Sequence, residues 1–277
     1  MQLISLNTWG GKVFEPLMQF IRDNSEACDI FCFQEVYDTS SEVKQYIPKF
    51  TKTGIERISN NQDSIRANLL DELNKVLKGF KAFYFPTLKG FDDIPNPVDF
   101  DLSYGQAIFV KKSTRVISQN NFFITETNTG DHPGKKFADL STPLQQVTVE
   151  SDGKNFNIFN FHGATFPGDK KDTPQRLEEA KKVKEIIDNN NGAKILVGDF
   201  NLLPDTKSIE MYEQNMINLI KEFNIIRTRS DLSPYFGKSD FQKFADFTFV
   251  SPEVTVSKFE IPDLEISDHL PMILKFS

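Results

Sequence analysis

Gly198-Asp199-Phe200-Asn201 directly follows the apolar run Ile195-Leu196-Val197 and is the sharpest chemical signal in the chain. Glycine lets the backbone turn tightly at a strand end. An Asp and an Asn two residues apart can then face one ligand. The carboxylate can orient or deprotonate a water, and the amide can hold a phosphoryl oxygen. The second signal is Ser267-Asp268-His269-Leu270-Pro271, just ahead of the last apolar run. An Asp adjacent to a His suits general acid–base work or stabilisation of a charged transition state.

Four further polar residues fall at the ends of apolar runs. Asn7 follows Leu3 to Leu6, Glu35 follows Ile30 to Gln34, and His162 follows Asn155 to Phe161, whereas Asp246 precedes Phe247 to Val250. Taken singly, each has an ordinary reading, since Asp and Asn beside turns usually cap helices or form Asx-turns. Jointly they say more. Asn7, Glu35, His162 and Asp199 end their strands, while Asp246 and Asp268-His269 begin theirs. If the second group of strands runs antiparallel to the first, all of these groups meet at one rim.

The elements that must position them are legible from periodicity. Leu3 to Leu6, Ile30 to Gln34 and Lys194 to Gly198 read as buried strands, and Val13 to Asn24 as an amphipathic helix with Leu17, Phe20 and Ile21 on one face. Ile65, Leu69, Leu73 and Leu77 lie four apart and predict a helix over Ser64 to Lys78, ended by Gly79. Strands are expected at Ala82 to Phe85, Gln106 to Val110, Arg115 to Ile124, Leu144 to Glu150 and Asn155 to Phe161. Ser151-Asp152-Gly153 joins the last two. Thr173-Pro174 opens a helix through Leu177, Ala180, Val183 and Ile187. Phe247 to Val250, Val254 to Phe259 and Met272 to Phe276 end the chain as strands. Pro86 to Ser103 and Glu126 to Thr142 read as long surface loops, which in a compact domain are often functional.

Composition bounds the rest. The 277 residues include 39% hydrophobic and 26% charged residues, the balance of an ordinary soluble protein, and 27 Phe against one Trp point to a Phe-filled interior. With no repeat or low-complexity linker, one catalytic domain over residues 1–277 is expected. Cys28 and Cys32 read as buried structural thiols. The start lacks a basic leader and no run approaches a membrane span, so a cytoplasmic protein without membrane segments is the expectation. A net charge of -7 gives no general attraction to nucleic acid. The basic pairs Lys111-Lys112 and Lys135-Lys136 are not interleaved with aromatics as in many single-strand binders.

The stretches Leu6-Asn7-Thr8-Trp9, Phe33-Gln34-Glu35-Val36, Asn160-Phe161-His162-Gly163, Val197-Gly198-Asp199-Phe200-Asn201, Ala245-Asp246-Phe247-Thr248-Phe249-Val250-Ser251 and Ser267-Asp268-His269-Leu270-Pro271 occur in that order from the first strand to the last. In this the chain resembles the endonuclease/exonuclease/phosphatase superfamily, with its deoxyribonuclease I-like fold. The resemblance implies a four-layered α/β sandwich, two packed mixed β-sheets flanked by helices, and metal-dependent attack of water on phosphorus. It implies Glu35 as principal metal ligand, Asn7 as ligand or orienting group and Asp268 near the metal. Oxygen ligands of this kind favour Mg²⁺ or Mn²⁺. His269 would stabilise the developing charge or serve as base, with Asp246 holding its ring. Asp199 would position or deprotonate the water, and Asn201 would hold a non-bridging oxygen. His162 stands where deoxyribonucleases and sphingomyelinases carry His and apurinic endonucleases carry Tyr. Trp9 occupies the place where some apurinic endonucleases carry a second acid.

The function this implies is a phosphodiesterase, either a nuclease or a phospholipid or sphingolipid diesterase. Two alternatives remain: a phosphomonoesterase acting on a sugar or inositol phosphate, and an inactive binding module of the same fold. Arg176 can be read as reaching the phosphate or, preferably, as a surface arginine on a first helical turn. Asp92, Asp93, Asp99 and Asp101 give the first long loop an acidic edge that would repel a long polyanion.

Overall fold

Successive side chains of the first two strands enter different cores. Leu3, Ile30 and Cys32 join one buried cluster with Val147, Ile158 and Leu274, while Ile4, Phe31 and Phe33 join another with Leu17, Ile21, Leu69 and Leu73. This period-2 alternation of apolar residues on both faces is what a sheet covered on both sides requires. A computed structural model describes residues 1–47, 64–92, 97–124, 142–239 and 241–277.

In chain order the first half contains β1 (Gln2–Asn7), α1 (Phe14–Asn24), β2 (Ile30–Asp38), β3 (Gln45–Tyr46), β4 (Ile65–Arg66), α2 (Leu69–Val76), β5 (Phe80–Lys89), β6 (Ser103–Lys111) and β7 (Arg115–Phe123). Then follow β8 (Pro143–Ser151), β9 (Lys154–His162), α3 (Pro174–Asp188), β10 (Ala193–Asp199), α4 (Lys207–Glu213), β11 (Ile217–Asn218) and α5 (Leu219–Glu222). The chain ends with β12 (Asp246–Val250), β13 (Val256–Glu260) and β14 (Met272–Phe276).

Two six-stranded mixed sheets have the orders β13-β14-β1-β2-β6-β5 and β11-β12-β10-β9-β8-β7. In each, one central pair is parallel, β1 with β2 and β10 with β9, and the strand beside it is antiparallel, β14 to β1 and β12 to β10. The inner faces share one core, α1 and α2 pack on the outside of the first sheet, and α3 and α4 add Val183, Ile187, Ile209 and Tyr212 beside the second. The fold is the expected four-layered sandwich. Cys28 and Cys32 are free and buried, as expected of structural thiols.

Three expectations are corrected. The stripe over Ser64 to Lys78 is not one helix: Ile65 lies in β4, paired with Tyr46, and packs with Tyr37 and Leu88, whereas Leu69 and Leu73 of α2 pack with α1. Two clusters therefore share one stripe, and the chain turns between them. Pro86 to Ser103 is not a plain loop. β5 continues to Lys89, Gly90 N–H donates to Leu102 O at 2.8 Å, Phe91 bridges Pro97, and Phe91 and Leu102 are buried. Its acidic edge shrinks accordingly, because Asp92 is buried; Asp99 and Asp101 stay exposed and Asp93 lies outside the described residues. Finally, Arg176 is buried rather than at the surface. Residues 125–141 of the second long loop, with Lys135 and Lys136, also lie outside the described residues.

Candidate active site

The two parallel pairs bring Asn7, Glu35, His162 and Asp199 to one rim, and the antiparallel neighbours β12 and β14 carry Asp246 and Asp268-His269 to it from the opposite direction. Asp199 pairs in register with both His162 and Asp246. All eight predicted residues, Asn201 included, stand at this rim.

Local backbone geometry aims them. β2 and β6 slip register between Phe33 and Val36, and Glu35 sits in that bulge at φ 57°, so its side chain leaves the sheet's alternation and turns to the rim. Thr8 Oγ1 donates to Gln34 O and Glu35 O at 3.0 and 2.9 Å and holds the bulge. Beneath it, Gln34 Nε2 donates to Asn160 Oδ1 at 2.6 Å, and Asn160 Nδ2 donates to Phe33 O at 3.2 Å, tying the two sheets. Gly198 is required: its φ is +140° and a Cβ there would lie 1.9 Å from Phe161 O.

Asp199 is the centre. Asn7 Nδ2 donates to its Oδ2 at 3.0 Å and to Glu35 Oε1 at 3.1 Å. His162 Nε2 and His269 Nε2 lie 3.7 and 3.6 Å from the same Oδ2. On its far side His269 bonds Asp246 through Nδ1 at 2.8 Å. Burial opposes ionisation of Asp199, but His269, His162, Lys170 and Arg229 around it outweigh burial and hold its carboxyl well below the usual range. Burial raises Glu35, which His162 only partly offsets, and it also raises Asp246. His269 is the reverse case. Burial and Arg229 disfavour its cation, yet Asp246, Asp268 and Asp199 prevail and raise it to about 9. The imidazole is therefore protonated at neutral pH and cannot take a proton from water. It can donate one.

Asn7 takes the orienting one of its two expected roles, and Asn201 is engaged differently from what was expected. Asn7 Oδ1 accepts from Trp9 N–H at 3.0 Å, so its amide orients the two carboxylates and its oxygen faces away from them. Asn201 Nδ2 donates one N–H to Gly163 O at 3.0 Å and its Oδ1 accepts from Lys170 Nζ, so both ends of the amide are engaged within the protein.

Lys170 and Arg229 were not found by sequence reasoning. Arg229 is partly buried and donates to Asp268 Oδ2 at 2.9 Å. Its segment bridges His269, and Ser230 N–H donates to Asp268 O at 3.0 Å, so the stretch ahead of β12 braces the Asp268-His269 turn. Thr228 Oγ1 completes the brace by accepting from Ala245 and Asp246 N–H at 3.0 and 3.1 Å. Lys170 comes from the irregular segment between β9 and α3. Arg176 organises that segment by donating to the carbonyls of Ala164, Thr165, Pro167 and Lys171. Neither cation lies in a periodic run, and no local pattern marks it.

Glu35, His162 and Asp199 present ligand atoms all within 4.8 Å of one another, as do Asp199, Asp246 and His269. Four carboxylates, Glu35, Asp199, Asp246 and Asp268, face three cations, Arg229, Lys170 and His269. An added cation would balance the excess, and carboxylate oxygens suit a hard divalent ion.

The fold is shared with a family whose members are phosphoester hydrolases. The profile of the Endonuclease/Exonuclease/phosphatase family matches residues 4–269, and the chain belongs to that family. Members of it usually use divalent metals. Among solved structures, a family member from Leptotrichia buccalis has a TM-score of 0.68 at 17% identity, covering 100% of this chain and 99% of that one. The mannosyl-6-phosphatase of Bacteroides thetaiotaomicron has a TM-score of 0.66 at 19% identity, covering 100% and 99%. D. rerio TDP2 complexed with a single-strand DNA product has a TM-score of 0.63 at 15% identity, covering 100% and 98%. A search of curated proteins gave no match. Among the described residues no helix is long and apolar enough to cross a membrane.

Proposed function

We propose that the chain is a divalent-metal-dependent phosphodiesterase that uses water as nucleophile. The observation that carries this reading is the placing of Asp199 Oδ2 3.6 Å from His269 Nε2, with Asp246 2.8 Å from the other ring nitrogen; these surroundings favour an ionised Asp199 and a cationic His269. Two titratable groups pushed apart in this way divide the labour of one hydrolysis. Asp199 orients the attacking water and accepts its proton. His269 donates to the phosphoryl oxygen on which charge accumulates. Asp246 fixes its ring, with Nδ1 toward the carboxylate and Nε2 toward the substrate.

Glu35 would hold Mg²⁺ or Mn²⁺, with Asp199 and His162 nearby, and Asn7 sets the direction of both carboxylates. Such an ion supplies charge neutralisation and polarisation of the phosphoryl oxygen. Asp268 has one oxygen bound by Arg229, so its part is to anchor that guanidinium at the rim.

His162 in place of Tyr supports a diester substrate, and the net charge of -7 supports a small or zwitterionic diester over duplex DNA. A phosphomonoester is the second reading. It is favoured by two cations near the rim, the buried Lys170 and the partly buried Arg229, which suit a dianion, and the fold is shared with a mannosyl-6-phosphatase.

The test is a hydrolysis screen with Mg²⁺ and Mn²⁺ over plasmid DNA, RNA, sphingomyelin, bis-p-nitrophenyl phosphate and p-nitrophenyl phosphate. Diester turnover above monoester turnover is expected, abolished by chelation and restored by metal. Efficient plasmid cleavage with steep salt dependence would contradict the small-substrate reading. Full activity after verified metal removal would sink the mechanism.

A further inference from the structure

Both ends of the Asn201 amide have partners within the protein, and one of these partners is a buried ammonium with donors to spare. Lys170 is 7% exposed and its Nζ donates to Asn201 Oδ1. Among the described residues no carboxylate lies within ion-pair distance of it. An ammonium carries three protons, and one bond to a neutral amide oxygen leaves two without a partner among the described residues. A buried cation is normally paired, so this one asks for an anion from outside.

The backbone confirms a built position. Lys170 adopts φ 58°, its N–H donates to Pro167 O at 3.5 Å, and its carbonyl accepts from Leu203 N–H at 2.9 Å. The Arg176 guanidinium holds the preceding carbonyls. A left-handed non-glycine residue is uncommon and worth a cause; here it turns the lysine stem inward toward Asn201. Burial pulls the ammonium down to about 8, still charged at neutral pH, while Asp199 and Glu35 favour the charge and Arg229 and Arg176 oppose it.

We infer that Lys170 is the residue that binds a non-bridging phosphoryl oxygen of the substrate, and that Asn201 positions Lys170 rather than touching the phosphate itself. The assignment rests on the phosphoester reading of the same site. It gives the irregular segment between β9 and α3 a function: Arg176 shapes it, Asn201 aims its lysine, and the ammonium supplies a point charge to the phosphoryl group.

Inorganic phosphate is the probe, titrated by calorimetry into the full chain with and without Mg²⁺. Lys170→Gln keeps a donor for Asn201 Oδ1 and removes only the charge. It should weaken phosphate binding by about tenfold or more, the scale of losing a hydrogen bond to an ion, while the circular dichroism spectrum stays unchanged. Lys170→Arg should fall between it and the wild type. In case the glutamine variant fails to fold, the wild type provides a second readout: the ¹⁵Nζ resonance absent from Lys170→Arg should shift as phosphate is added. Equal phosphate affinity in wild type and Lys170→Gln, no shift of that resonance, or no phosphate binding at all would overturn the assignment. Phosphate binding through Lys170 without hydrolysis of any ester would refute the proposed function and leave this inference standing. Hydrolysis with Lys170-independent phosphate binding would do the opposite.

Discussion

Replacing Asp246 by Asn tests the division of labour most directly, because the side chain keeps its shape and loses only its charge. In the wild type Asp246 bonds His269 Nδ1 at 2.8 Å, and with Asp268 and Asp199 it overcomes burial and Arg229 to raise the imidazole to about 9. If the variant returns His269 to the ordinary range near 6.5, the loss is about 2.5 pKa units, or roughly 3 kcal/mol of preference for the cation. At pH 8 the protonated fraction would then drop from about nine-tenths to about 3%, a thirtyfold loss before any cost in ring orientation. Adding the wrong tautomer, we expect kcat/KM to fall by about two to four orders of magnitude. The sign is fixed: wild-type kcat/KM declines as pH rises through about 9, and in the variant the decline moves toward neutral pH. The chain has only three His, His132, His162 and His269, so imidazole resonances can be followed one by one in metal-free protein. A His269 titration unchanged by Asp246→Asn would refute the reasoning. So would an alkaline limb that does not move.

Three further outcomes follow from the geometry. Glu35→Gln should weaken Mg²⁺ binding measured by calorimetry while the melting temperature of the metal-free protein holds, since Asn7 Nδ2 can still bond the amide oxygen; undiminished Mg²⁺ affinity would remove Glu35 from the metal. Burial raises Glu179 to about 7 despite its contacts with Thr142, Ala164 N–H and Arg176, so the folded state binds an extra proton between about pH 4.5 and 7. Stability should be greatest below that window and decline as pH rises through 7. Glu179→Gln should remove up to about 3 kcal/mol of that decline, read as a smaller difference in unfolding midpoint between pH 5 and pH 8. Gly198→Ala places a Cβ 1.9 Å from Phe161 O at φ +140° and should cost about 3 kcal/mol or more in urea unfolding; a near-normal midpoint would mean that β9 and β10 separate more easily than their register suggests.

The rim was legible in the sequence because it depends on strand ends, and strand ends are where alternating apolar runs stop. Asn7, His162, Asp199 and Asp246 needed only the assumption that late strands run antiparallel to early ones, which β12 and β14 fulfil. What failed to show depends on contacts far apart in sequence. Ile65 continues the spacing of Leu69 and Leu73 but is claimed by Tyr46 and Tyr37 from another segment, so a local stripe spans two clusters. β2 runs on past Gln34 to Asp38 because a bulge absorbs Glu35, and a bulge leaves no mark in hydropathy. Arg176 looks like any first-turn arginine, since the four carbonyls that bury it belong to a loop with no periodicity of its own.

The same distinction bears on what a motif can assign. Gly198-Asp199-Phe200-Asn201 locates Asn201 beside the reaction, and its residue type suggests a donor to phosphate. Yet a carboxamide has two ends, and here Gly163 O takes one N–H of the donor end while Lys170 takes the acceptor. The role expected of the motif residue therefore passes to the side chain that it holds. Asn7 behaves alike, its oxygen turned to Trp9 N–H and its NH₂ to Glu35 and Asp199, so that it directs ligands instead of being one. In both cases the chemistry of the rim, charge facing charge, is built by residues one contact further out. Substituting Asn201 should therefore disturb phosphate affinity only as far as it displaces Lys170, and Asn201→Ala combined with Lys170→Gln should weaken binding little more than Lys170→Gln alone. Additive losses in that double variant would return the phosphoryl contact to Asn201.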